Sequence, residues 1–238
     1  MRSFELVHEH CHPRHVPMKA SLAQPISSLA EALHDDEIHV WEFAYSPSDR
    51  REPLHAVLAA YVGTDAGGIT LDQNEHGRPA LASMHASAID FNWSHSTDRA
   101  LIALGRGVSL GIDIERLRER PRALEIAERY FSADETDLLR ALPAEQRNAA
   151  FLEIWTAKEA VLKALGRGIA FGLHRLSIAI ECGRFDIRRL EGENLDAWQL
   201  RRLTVDASSV AALAWRGGPR EIKRFNLPAA PGGRTVSG

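Results

Sequence analysis

The stretch GIDIE, residues 111–115, sets the tightest limit on how this chain can fold. Ile112 and Ile114 alternate with Asp113 and Glu115, and an alternation of period two marks a strand with one apolar and one polar face. The two carboxylates, at i and i+2, then share a face. Like charges that close repel, and each raises the other's pKa unless a cation neutralises both. The fold must bury the isoleucines and turn the acids toward a place that a cation reaches.

With 238 residues the chain can form one large domain or two small ones, each with a sizeable core. Against 29 Lys and Arg stand 32 Asp and Glu, a formal net charge of −3. That balance gives no general pull toward nucleic acid or an anionic membrane, so positive charge for a phosphate-rich ligand must be local. No apolar run approaches the ~20 residues of a membrane span. Met1 is not followed by the basic-then-apolar order of a secretory signal. Cys11 and Cys182 are too few for a disulfide framework and point to a reducing compartment. A cytoplasmic protein with neither nucleic acid nor membrane as partner is the expectation.

Residues 1–36 read as an irregular, His-rich segment, with HEHCHPRH at 8–15. A mobile or loosely packed terminus accounts for that run better than a zinc site, since no scaffold fixes four ligands there. EIHVWEFAY (37–45) reads as a strand. Leu54, Val57, Leu58, Tyr61 and Val62 recur at helical spacing, closed by Gly63. A short strand is expected at 69–71. RALIAL (99–104) and VSLGIDIE (108–115), joined across GRG, predict a hairpin. SADE at 132–135 matches a capping box, with Ser132 as N-cap. Pro143 opens a long helix that runs to Gly166, with Phe151, Ile154, Val161, Leu162 and Leu165 on one stripe. Short strand-like stretches alternate with turns from about 174 to 215, and a tail rich in Gly and Pro, read as mobile, begins at Gly217. Strand, helix and strands in 37–110 find a loose echo in 111–216, which suggests an α+β chain of two halves.

The long helix contains WTAKEAVLKALGRG, residues 155–168. Glu159 and Lys163 form an i,i+4 pair in the favourable order. Alone, Lys158, Glu159 and Lys163 read most simply as a solvated face with an ordinary ion pair worth ~0.3–0.5 kcal/mol.

The order FNWSHS (91–96), GIDIE (111–115) and WTAKEAVLKALGRG (155–168) changes that reading. Together these motifs resemble the Sfp-type 4′-phosphopantetheinyl transferases of the W/KEA branch, specifically so from about residue 77 to 170. The resemblance implies two similar α/β halves related by a pseudo-two-fold axis, with the active site in the cleft between them. It implies that coenzyme A is the co-substrate. Its phosphopantetheine arm passes to a serine of an apo acyl or peptidyl carrier protein, and adenosine 3′,5′-bisphosphate leaves. A monomer is expected, since one chain supplies both walls of the cleft.

The same resemblance assigns Asp113, Glu115 and Glu159 to Mg²⁺, with Mn²⁺ as the alternative ion; hard oxygen ligands suit either. It also makes Glu159 a candidate to take the serine proton, and the choice between ligand and base stays open on sequence. Lys158 and Lys163 match phosphate-facing lysines. Ser94 and His95 match a pair that contacts coenzyme A phosphates. Arg78 in HGRP stands where the family usually has lysine, and Arg51 matches an arginine on the 3′-phosphate. The basic helical segment usual between the first strand and that arginine is missing, so either adenosine-side contacts are fewer or Arg14, Lys19 and Arg50 replace them. Two other functions fit the same residues: a metal-dependent phosphodiesterase acting on water, and a non-enzymatic coenzyme A-binding module.

Overall fold

The computed structural model describes residues 25–227 except 86, 169 and 170. The run 8–15, Arg14 and Lys19 lie outside the described residues. In chain order the elements are α1 (Ile26–Glu31), β1 (Glu37–Ala44), α2 (Glu52–Val62), β2 (Leu71–Gln73), β3 (Pro79–Leu81), β4 (Ile89–Ser96), β5 (Arg99–Arg106), β6 (Leu110–Arg116), α3 (Ala123–Tyr130), α4 (Ala133–Ala141), α5 (Ala144–Leu165), β7 (Leu176–Glu181), β8 (Arg184–Leu190), β9 (Trp198–Leu203), β10 (Ser209–Arg216) and β11 (Glu221–Asn226).

Side-chain alternation along the strands sorts these elements into layers. Trp41, Phe43, Phe91, Ile102 and Leu104 face α2, whose Leu54, Val57, Leu58 and Tyr61 cover them. The opposite faces of β1 and β5 carry Ile38, Val40, Leu101 and Ala103. These meet Leu110, Ile112, Ile114, Ala211, Leu213 and Trp215 of a second sheet. The far side of that sheet, with Val210, Ala212 and Ala214, lies under α5. Helix, sheet, sheet and helix follow one another, a mixed α+β architecture.

The first sheet has the order β11-β1-β5-β4 and the second β6-β10-β9. The expected hairpin between 99–104 and 108–115 therefore does not form. β5 already has β1 and β4 on its two edges, so beyond Gly107 the chain crosses over and opens the second sheet as β6. β7 and β8 form a hairpin of their own. The short strand expected at 69–71 lies at Leu71–Gln73 and pairs with Pro79–Leu81.

Two stretches expected to be irregular are ordered. Ile26, Leu29, Ala30 and Leu33 recur at helical spacing, and α1 packs them against the α2 core. Beyond Gly217 the chain returns as β11, parallel to β1 in the register Glu37↔Glu221 to Glu42↔Asn226. Phe225 packs on Trp41 and His39 with ring centroids 4.9 Å apart in both cases, and Lys223 pairs with Glu37. A strand as buried as β1 would otherwise present an open edge.

The long helix matches its sequence limits, with Pro143 as N-cap and Gly166 left-handed at φ 70°. It lies directly on β6 because residue 111 is glycine: a Cβ there would run into the Ala160 carbonyl, the Ala164 amide and Lys163 Cβ. Its C-terminal end is held by residues of the β2–β3 connection. Asn74 Nδ2 donates to Gly166 O at 3.0 Å, and Arg78 Nη1 donates to Lys163 O at 2.9 Å. Arg78 Nη2 donates to both Asp90 oxygens and to Leu110 O at 2.8 Å. Cationic donors on the last carbonyls of a helix also suit its dipole.

Two expectations follow for stability. Gly111→Ala forces α5 off β6 and lowers unfolding free energy by about 2 kcal/mol or more, read from urea melts. His39 is buried, with Nδ1 2.7 Å from the Tyr61 hydroxyl and Nε2 3.3 Å from Glu37, and burial pulls its pKa down to about 4. The unfolded chain takes up that proton first, near pH 6.5. The histidine's contribution is therefore constant above that pH and is lost as pH falls toward 4, by up to about 3 kcal/mol. Melts of the parent and His39→Gln between pH 4 and 8 check it: the difference between them must change across this window.

Candidate active site

The seam between the two sheets is built from side chains. Asp90, Asn92, Ser94 and Ser96 recur at every second position of β4 and so point to one side, toward β6. Asp90 Oδ2 accepts the Leu110 N–H at 3.2 Å, and Asn92 Oδ1 accepts that of Ile112 at 2.9 Å. Further along, Ser94 Oγ donates to Asp113 Oδ1 at 2.8 Å and Ser96 Oγ donates to Glu115 Oε2 at 3.0 Å. Ser96 Oγ also accepts the Arg116 N–H at 3.1 Å. These side chains partner a strand edge that lacks a backbone ladder on that side. Two of them orient the acids.

Asp113 and Glu115 share the face of β6 that looks toward α5. Lys163 Nζ lies 2.7 Å from Asp113 Oδ1 and 3.1 Å from Ile112 O. Arg120 Nη2 lies 3.2 Å from Glu115 Oε2. Glu159 stands one turn before Lys163 on the same helix face. Burial, then the charge of Asp113, raise its pKa to about 7, with Glu115 adding to the shift and Lys163 opposing it. Asp113 Oδ2 and Glu159 Oε1 are buried and make no hydrogen bond among the described residues. Buried carboxylate oxygens left unpaired are costly, and here two of them belong to one acidic group.

The unpaired oxygens of Asp113 and Glu159, with Glu115 as the third acid beside them and a proton that burial and then the Asp113 charge keep on Glu159, fit a divalent cation of the Mg²⁺ type. As the side chains stand, no three His, Cys, Asp or Glu among the described residues converge to grip one ion. Lys163 and Arg120 lie on the carboxylates instead.

The other candidates divide. Ser94 is buried, with its hydroxyl spent on Asp113. His95 falls on the opposite side of the strand and is exposed, stacked on Tyr45 with ring centroids 4.3 Å apart. Burial and then Lys163 hold its pKa below the ordinary histidine value. Arg51 is exposed at the start of α2.

Two assignments are corrected. Lys158 does not face the acidic group: it is fully buried, with Nζ 2.7 Å from Glu135, 2.9 Å from Leu173 O and 4.9 Å from the centre of the Phe131 ring. Five residues of helix turn it about 140° away from Lys163. Glu135 is the acid of the expected capping box on α4, so Lys158 ties that helix to the core. Arg78 is likewise spent on protein acceptors at the helix end. It braces Lys163 from behind.

Ser96 closes the FNWSHS motif without a role of its own there, and Arg120 lies in no motif. The period-two recurrence of Asp90, Asn92, Ser94 and Ser96 is a signal that marks the first; nothing in the loop 117–122 marks the second.

Comparison with known proteins bears on what such an acidic group does. The 4′-phosphopantetheinyl transferase superfamily profile matches residues 109–214, which include the acidic strand and the helix with Glu159 and Lys163. The 4′-phosphopantetheinyl transferase HetI of Nostoc sp. is 34% identical over 219 residues, covering 89% of this chain and 90% of that protein. The 4′-phosphopantetheinyl transferase Sfp of Bacillus subtilis is 30% identical over 127 residues, 53% of this chain and 54% of its own. The mouse L-aminoadipate-semialdehyde dehydrogenase-phosphopantetheinyl transferase is 28% identical over 165 residues, 62% and 53% respectively. Likeness that spans nearly the whole of both chains, and that takes in Asp113, Glu115 and Glu159, makes this chain a member of the 4′-phosphopantetheinyl transferase superfamily.

Proposed function

We propose that the protein transfers the 4′-phosphopantetheine arm of coenzyme A to a serine of an apo acyl or peptidyl carrier protein, with Mg²⁺, or Mn²⁺ in its place. The observation that carries this reading is the acidic group of Asp113, Glu115 and Glu159 beside Lys163, within a chain that matches a named transferase over 89% of its length.

The serine Oγ attacks the phosphorus that bears the pantetheine arm. The bond from that phosphorus to the oxygen bridging the diphosphate breaks, and adenosine 3′,5′-bisphosphate leaves with the bond's electron pair. Asp113 and Glu115, with Glu159 beside them, would hold the ion, which when bound neutralises charge on the diphosphate and on the leaving group. Glu159 has a pKa suited to accepting a proton near neutrality, and its Oε1 has no other partner. We assign the serine proton to it. Lys163 places a compact positive charge where the phosphates must lie, and Arg78 fixes the backbone that carries it. His95 and Arg51 are the exposed groups assigned to the 3′-phosphate. A carrier protein with an acidic recognition helix fits as partner, one chain suffices for the cleft, and the cytoplasm is the expected compartment.

Intact mass of apo carrier proteins, after incubation with the protein, coenzyme A and Mg²⁺, tests this reading. One phosphopantetheine arm is expected, absent with chelator and slowed at least about 100-fold by Asp113→Ala. Release of product from coenzyme A without any carrier would point to a phosphodiesterase. Bound coenzyme A with no turnover would point to a binding module.

A second expectation concerns Glu159. Its raised pKa means the metal-free fold loses stability as pH rises from about 4.5 through 7, because the folded carboxyl clings to its proton. Glu159→Gln should therefore stabilise metal-free protein at pH 8 by up to about 3 kcal/mol, with the gain vanishing below pH 5, while transfer is lost. Thermal melts at the two pH values with EDTA present, set beside the mass assay, give both numbers.

A further inference from the structure

We infer that Arg120 is the internal counter-ion of Glu115, a positioning residue that a divalent cation must displace. The inference rests on the metal-holding reading of the three acids given above. Arg120 Nη2 and the Ser96 hydroxyl both donate to the same oxygen, Glu115 Oε2, at 3.2 and 3.0 Å. Ser96 is itself fixed by the Arg116 N–H. The carboxylate is thus held in one orientation by a charge and a dipole.

The loop that brings Arg120 is fastened to the catalytic helix. Asn148 Oδ1 accepts the Arg120 N–H at 2.8 Å, and Asn148 Nδ2 donates to Arg118 O at 3.0 Å. Asn148 precedes Glu159 by eleven residues, three turns plus about 20°, so one stripe of α5 both anchors this loop and presents Glu159. Arg120 Nε is buried and makes no hydrogen bond among the described residues. A guanidinium that spends one nitrogen on a carboxylate and buries another unpaired is held by charge more than by a hydrogen-bond network.

Lys163 does for Asp113 what Arg120 does for Glu115. Between them they pair with two of the three neighbouring carboxylates. A positive charge within a few ångströms of these acids opposes the entry of a doubly charged ion. Removing Arg120 should then have two opposite effects. The metal-free protein loses a partner for Glu115 and becomes less stable, while the acidic group becomes a stronger trap for the ion. An arginine with only a packing role would give the first effect without the second.

Calorimetric titration of the full chain with Mn²⁺, without coenzyme A, tests this on the parent, Arg120→Ala, Arg120→Lys and Asp113→Ala. Binding at this site is defined as the binding lost in Asp113→Ala. Arg120→Ala is expected to bind Mn²⁺ at least about threefold more tightly and to melt at a lower temperature in EDTA. Arg120→Lys should return both values toward the parent. Equal or weaker binding by Arg120→Ala overturns the inference and leaves the metal reading standing. A parent that shows no Mn²⁺ binding sensitive to Asp113→Ala overturns both.

Discussion

The contact of α5 with β6 is the constraint on which the remaining geometry depends. Glu159 and Lys163 reach Asp113 only because the helix backbone touches the strand at residue 111, where a side chain larger than hydrogen has no room. The contact is secured at its end by Arg78, which gathers the last carbonyls of the helix, the Asp90 carboxylate and the Leu110 carbonyl into one guanidinium. Asp90 in turn accepts the Leu110 amide. A group from the β2–β3 connection, one from β4 and one from β6 thus converge on the helix end nearest Lys163. Position of the lysine and closure of the two sheets are one structural fact.

Around that contact the protein concentrates charge that its overall balance does not suggest. Three acids lie together with two basic side chains, and the acid with the least compensation, Glu159, retains its proton near neutrality. This is a poised arrangement. Burial and mutual repulsion raise the energy of the empty site, and two internal cations limit that rise. A cluster of this kind detracts from stability and is retained where chemistry needs it. The polar side of β4 serves the same end, since its serines hold the acids at fixed angles and its Asp and Asn substitute for a backbone ladder.

Much of this was legible in the sequence, for physical reasons that differ by element. The long helix was legible because Pro143 and Gly166 punctuate it and its apolar stripe keeps one phase. GIDIE was legible because period-two alternation leaves few choices. The capping box at Ser132 and Glu135 was read correctly, but its acid also receives a buried lysine, which no local rule announces. Lys158 shows the limit of motif reading: the residue type matched, yet helical phase turned it inward, a conclusion that the 140° offset from Lys163 already contained. The hairpin at GRG failed for a nonlocal reason, because the edge it needed was occupied by β4. β11 failed for the same kind of reason: its six residues gain meaning only beside β1. Arg120 left no trace, since a loop residue acquires its role from a tether, Asn148, 28 positions away.

The return of β11 to β1 bears on how the protein is made. Lys223 meets Glu37 across 186 positions of chain, so the edge of the first sheet is covered by a segment synthesised long after the strand it protects. Until that segment emerges, β1 has an open edge, and seven of its eight residues are of the kind that ends up buried. During vectorial synthesis the early sheet is thus an adhesive surface waiting for its last strand, and loop closure over so long a span is slow relative to local folding. The second sheet and α5 lie between the two pairing segments in the chain, and they can assemble first.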